Sequence, residues 1–202
     1  MKIAANFFTY LFHPLLLPTY SFAFVIYTNP FLFGNYGPYS WVLVLKVFMN
    51  TFLFPVFSLL IMYQLGFIKS FVMDDAKERI IPYISTMVFY IWTFSVFRNS
   101  GDPLLLSVIM LGSCLSASAA FVINLFRKIS LHATGMGALL GLAFGNAFFS
   151  THNLIPLLML VAIIAGVVGT SRLILNAHKE TDVYLGYFVG FILQVVAFRL
   201  SF

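Results

Sequence analysis

Charge is what this chain has least of. Only 8% of its 202 residues are charged, against about 25% in a soluble domain. Eleven basic and six acidic side chains cannot coat a globule of this size, which excludes a soluble enzyme. Disorder is excluded as well, because disordered chains are rich in charge and poor in aromatics, and this one holds 25 Phe. Cysteine is almost missing. Cys114 stands alone in an apolar run, so it cannot form an intramolecular disulfide and reads as a small packing residue. Alternating ten-residue strands are absent, which argues against a β-barrel. So are linkers, internal repeats and low-complexity tracts. There is no soluble fold to carry a basic surface, so no nucleic-acid partner is expected.

What is present is apolar length. Hydrophobic residues make up 61% of the chain, and mean hydropathy is +1.00. At about 20 apolar residues per crossing, this predicts an all-α, polytopic transmembrane bundle of six or seven spans, with residues 1–202 forming one domain. Run length places the spans at Phe7–Thr28, Ser40–Gln64, Ile81–Phe97, Pro103–Phe126, Leu131–Ser150, Leu154–Leu175 and Val183–Leu200. The opening Met-Lys-Ile carries one Lys and no small-residue cleavage site follows, so the first span is read as retained. Pro14 and Pro18 interrupt it, which predicts a kinked helix or a re-entrant segment, with His13 meeting the local polar need.

The polar residues collect in three places. Asp74–Glu78 and Glu180–Asp182 hold five of the six acids, and the bases gather near them or at Arg127–Lys128. Two spans separate each cluster from the next, so all three fall on one membrane face. Positive-inside topology accounts for Lys2, Lys69 and Arg127. It does not account for histidines and acids at that same face, which point to a site. His178 and Asp182 are four residues apart, a spacing that shares one helix face. A carboxylate on one imidazole nitrogen leaves the other free to attack. The planar fork of Arg172 suits phosphate oxygens.

The string Ser171-Arg172, five residues, His178, three residues, Asp182 resembles the third signature motif of the type 2 phosphatidic acid phosphatase superfamily. Ile129-Ser130-Leu131-His132 keeps the Ser and His of that family's Pro-Ser-Gly-His motif and lacks its Pro and Gly. Lys77, Arg79 and Pro82 supply the residue types of the first motif at a compressed spacing, compatible with a helix start at Pro82. The resemblance implies a membrane-integral lipid phosphate or diphosphate phosphatase. His178 would form a phosphohistidine, Asp182 would orient it, and His132 would protonate the leaving oxygen and then activate water. Lys77, Arg79, Ser130 and Arg172 would hold the phosphoryl oxygens. It implies no metal and no cofactor, a lipid phosphate and membrane lipids as partners, and a bacterial inner-membrane location.

The competing expectation is a non-catalytic membrane subunit on a decayed phosphatase scaffold. A b-type haem protein using His132 and His178 as axial ligands leaves the Arg, Ser and Asp unexplained. The remaining features have structural readings. His152 is a solvated loop residue. Gly135, Gly137, Gly141 and Gly145 form a small-residue stripe for packing within the monomer, with a homodimer face as the alternative. Tyr36, Tyr39 and Trp41 read as an interfacial aromatic belt.

Overall fold

The computed structural model describes residues 1–68, 76–150 and 152–202, with backbone alone at 76–79 and 149. Among the described residues the chain is helical, with no strand. The helices are α1 (Lys2–Leu11), α2 (Leu17–Thr28), α3 (Ser40–Phe48), α4 (Phe54–Gln64), α5 (Ala76–Asn99), α6 (Leu104–Phe126), α7 (Leu131–Phe149), α8 (Ile155–Ile174) and α9 (Glu180–Ser201). Among the described residues, six helical segments are long and apolar enough to cross a membrane: Lys2–Thr28, Gly34–Gln64, Ile80–Asn99, Leu104–Phe126, Ile155–Ile174 and Glu180–Ser201. The chain is a multi-pass membrane helix bundle. The remaining expected span is α7, whose 19 residues extend about 28 Å, near the bilayer's hydrocarbon thickness.

Two of the long segments are interrupted, each for a local chemical reason. The first breaks between α1 and α2, where a single 3₁₀ turn covers Pro14–Leu16. Pro14 starts that turn and Pro18 lies in the first turn of α2, where neither needs a backbone N–H. The two halves have different neighbours: α1 packs on α8, and α2 on α3, α6 and α7. The second interruption is a π turn at Met49–Leu53, just ahead of Pro55. The wider turn accommodates the missing N–H of Pro55 without ending the helix.

The packing centre is α7 against α9. Glycines allow it. A Cβ on Gly137 would stand 2.3 Å from the carbonyl oxygen of Tyr187, and one on Gly190 1.9 Å from that of Thr134. The glycine stripe read from the sequence therefore works inside the monomer, and α9 answers it with Gly186 and Gly190. At one end, Asn146 of α7 donates to Thr28 (2.8 Å) and accepts from Asn29 (3.0 Å). His152 stacks on Phe31 there, with centroids 6.4 Å apart. The Tyr36 hydroxyl donates to Asp102 at 2.6 Å. Tyr39 and Trp41 are exposed, as membrane-facing aromatics are.

Candidate functional site

The opposite end, where α7 and α9 begin and α8 finishes, holds His132, Arg172, His178 and Asp182. Ser130 precedes α7, and its Oγ accepts from the Ala133 N–H at 3.4 Å. This is an N-cap, and it fixes the first turn that carries His132. The Ser130 N–H donates to the Asp182 carbonyl oxygen at 3.2 Å, tying the start of α7 to that of α9. Arg172 occupies the last turn of α8, where a cation complements the helix dipole.

His178 and Asp182 do meet, though not along one helix as their spacing suggests. Helix α9 begins at Glu180, so His178 lies in the connection before it. Asp182 reaches back to accept the Lys179 N–H at 3.1 Å, the carboxylate half of a capping box. That reach brings its Oδ2 to 3.7 Å from Nδ1 of His178. The separation suits an ion pair but is too long for a hydrogen bond. Arg127 approaches the other oxygen of Asp182 at 4.0 Å.

The broken first segment completes the constellation. His13 caps the 3₁₀ turn by accepting the Leu15 N–H at its Nδ1, 3.3 Å away. An accepting Nδ1 carries no proton, so in neutral His13 the proton sits on Nε2. The ring meets His132 edge to face, with centroids 5.7 Å apart. His132 Nε2 lies 3.2 Å from the carbonyl oxygen of Thr9. A carbonyl can only accept, so that nitrogen bears a proton. Arg172 reaches the Thr9 hydroxyl at 3.5 Å. Other carbonyls near the break are met by side chains. Tyr20 donates to Leu11 at 2.8 Å, Thr51 to Leu15 at 3.3 Å, and Tyr90 lies 3.5 Å from the oxygen of Pro14.

His13, His132, Arg172 and His178 all line one cavity of about 530 Å³. Leu17, Val56, Leu60 and Ala117 are among its apolar walls, and Tyr90, Ser116 and Gln194 add polar atoms. Among the described residues, two buried nitrogens of this lining, Arg172 Nε and His178 Nδ1, have no hydrogen-bond partner. Burial lowers the pKa of His178 to about 4; Arg172 and Lys128 push in the same direction, and Asp182 opposes them. The imidazole is therefore neutral at pH 7, with a lone pair available.

The residues expected from sequence divide into three groups. His132, Arg172 and His178 come together on the cavity. Asp182 stands behind His178 and does not line it, and Ser130 is fully buried as a helix cap away from the lining. The side chains of Lys77 and Arg79 lie outside the described residues. Their backbone belongs to the first turn of α5, so Pro82 sits inside that helix and not at its start. Asp74 and Asp75 also lie outside the described residues. No family model, curated protein or solved structure matches this chain. Sequence reasoning gave His13 only a local role and missed Thr9 and Tyr90 entirely. The available signal was Pro14: a proline that breaks a span exposes backbone groups, and polar side chains from other helices must converge on them.

Proposed function

We propose that this protein is an integral membrane phosphatase acting on a lipid phosphate or diphosphate, in the inner membrane of a bacterium. The observation that carries the reading is the convergence of Arg172 and three histidines on one apolar-walled cavity, with the buried Nε of Arg172 left unpartnered among the described residues. An unpaired donor on a desolvated cation is costly, and an oxyanion in the cavity satisfies it. The apolar wall suits the hydrocarbon part of an amphiphile.

In this mechanism His178 Nδ1 faces Asp182 and Nε2 attacks phosphorus. An N–P bond forms as the P–O bond to the lipid breaks. The lipid phosphate binds as its monoanion and passes its remaining proton to Nδ1 of His132, giving the imidazolium form. That form keeps its Nε2 proton on the Thr9 carbonyl and can release the other ring proton to the leaving oxygen. His132 then takes a proton from water, which attacks the phosphohistidine and frees phosphate and neutral His178. Arg172 and the Nε2–H of His13 bind the phosphoryl oxygens throughout, the arrangement phosphoryl transfer requires. Lys77 and Arg79 are assigned to the same oxygens by the motif resemblance alone.

The deciding experiment measures phosphate release from a panel of lipid phosphates by purified protein in chelator, with His178→Ala as control. A second reading, a non-catalytic lipid-phosphate-binding subunit, has specific support of its own. Asp182 divides its carboxylate between Lys179, Arg127 and His178, and Ser130 is committed as a cap. Saturable binding of lipid phosphate without release would favour it.

A further inference from the structure

The cavity is much deeper than a phosphate requires, and its far part is not uniformly apolar. Gln194, 1% exposed in the middle of α9, donates to the Val108 carbonyl oxygen at 3.3 Å. It lies against two glycines: a Cβ on Gly112 would stand 1.9 Å from its Oε1, and one on Gly141 3.1 Å from its Cβ. Gly141 is nine residues beyond His132, about 13 Å along α7 at 1.5 Å per residue. Ser116 lies four residues from Gly112 toward the Arg127 end of α6, about 6 Å back. Ser116 is thus roughly 7 Å deeper than His132 and Gln194 roughly 13 Å deeper.

Ser116 is 4% exposed and lines the cavity, and among the described residues its hydroxyl has no hydrogen-bond partner. Serines within helices normally bond their own backbone, as Ser113 does to the Ile109 carbonyl oxygen at 2.9 Å and Ser118 to that of Cys114 at 2.8 Å. Ser116 does not, and an orphaned buried hydroxyl costs about 1–3 kcal/mol. Wall residues at the same cavity, Val56, Leu60, Ala117 and Ala138, offer it nothing.

We propose that Ser116 forms a second, uncharged subsite that binds a neutral oxygen function in the chain of an anionic amphiphile. The proposal rests on the head-group reading above. The anionic head sits at Arg172, and the chain descends inside the protein between Leu17, Val56 and Ala117. An ester carbonyl or hydroxyl oxygen receives the Ser116 hydrogen bond. A separation of roughly 7 Å is about six bonds of extended chain. That length matches the distance from a phosphate, across a three-carbon polyol, to its acyl ester. A plain alkyl phosphate fills the same volume and leaves Ser116 unpaired.

The test uses the purified full-length protein in detergent, with two probes of equal chain length that the proposed reaction cannot cleave: an alkylphosphonate and the phosphonate analogue of a monoacylglycerol phosphate. Dissociation constants are read by calorimetry for wild type, Ser116→Ala, Ser116→Thr and Arg172→Ala. The expected result is an ester probe bound about two- to tenfold tighter than the alkyl probe, the size of one hydrogen bond. Ser116→Ala should bring that ratio to about one, and Ser116→Thr, which keeps the hydroxyl, should retain it. A wild-type ratio of one, or a ratio that survives in Ser116→Ala, overturns the subsite while leaving the head-group site standing, provided Arg172→Ala loses both probes. Wild type that binds neither probe overturns both.

Discussion

Asp182 Oδ2 stands 3.7 Å from His178 Nδ1 across the first turn of a helix, while it accepts the Lys179 N–H at 3.1 Å. The capping bond holds the carboxylate in place, and the imidazole is placed against it. This arrangement orients His178 without a strong direct bond. His178→Ala is therefore expected to abolish phosphate release, and Asp182→Asn to leave a slow enzyme. Asparagine still accepts the cap bond but cannot stabilise a positive ring. Wild-type turnover in His178→Ala would remove the phosphohistidine.

The titration of His178 gives a second expectation. Its folded pKa, about 4, lies below the unfolded value of 6.5, so folding disfavours its protonated form. Its contribution to stability is complete above pH 6.5 and is lost as pH falls from there through about 4. The acid limb of kcat/KM should likewise fall near pH 4 and not near 6.5, because that limb reports the free enzyme's base. Imidazole resonances followed by NMR should show the pKa rising in Arg172→Ala, since the removed cation was depressing it. A His178 titrating at 6.5 in the wild type would contradict the burial and the field assigned here.

How much of this was legible without coordinates depended on the kind of signal. The bundle was legible because apolar run length is a direct reading of bilayer thickness. The meeting of His132, Arg172 and His178 followed from counting spans, since an even number of crossings returns the chain to the same face. The exact partners were not legible. Asp182 looked like a helical neighbour of His178, and sequence spacing cannot tell a shared helix face from a reach back across a cap. Ser130 looked like a phosphate donor, and a serine before an apolar run is equally an N-cap. His13 was hidden because its placement depends on two prolines breaking a span, which local pattern detects, and on where the halves pack, which it does not.

Oxyanion binding follows from the charge around the cavity. Among the described residues the buried Nε of Arg172 has no partner, and Asp182 does not reach it. Vanadate titrated into the purified protein in chelator should bind saturably, compete with lipid phosphate, and be lost in Arg172→Ala. The guanidinium already supplies the positive field, so a divalent metal should not raise the affinity. No binding at millimolar vanadate would remove the anion site, and with it the phosphatase.

His13 has two separable jobs, capping the 3₁₀ turn through Nδ1 and presenting Nε2–H among the site histidines. His13→Ala removes both and should cost about 0.5–2 kcal/mol of stability, the usual range for a lost cap. His13→Asn keeps an acceptor for the Leu15 N–H and should recover most of that stability. Vanadate affinity should fall in both variants, because neither has the ring. Full vanadate affinity in His13→Asn would reduce His13 to a cap.

The contact between α7 and α9 positions His132 relative to His178, so its glycines should be among the least replaceable residues in the chain. A Cβ on Gly190 meets the backbone oxygen of Thr134 at 1.9 Å, and the Ala138 backbone nitrogen at 2.8 Å. Neither atom can rotate away as a side-chain tip would. Gly190→Ala must push α9 off α7, and overpacking of this kind costs about 1–3 kcal/mol or more. Gly166 of α8 supplies the control, because a Cβ there meets nothing within 4 Å. Gly166→Ala should be neutral or stabilising by up to about 1 kcal/mol, the helix-propensity difference. Thermal unfolding in detergent separates the two variants. Gly190→Ala should also lose vanadate affinity, because the helix shift moves the start of α9, and His178 before it, away from His132. If Gly190→Ala unfolds with wild type and binds vanadate normally, the close approach of these two helices is not what assembles the site.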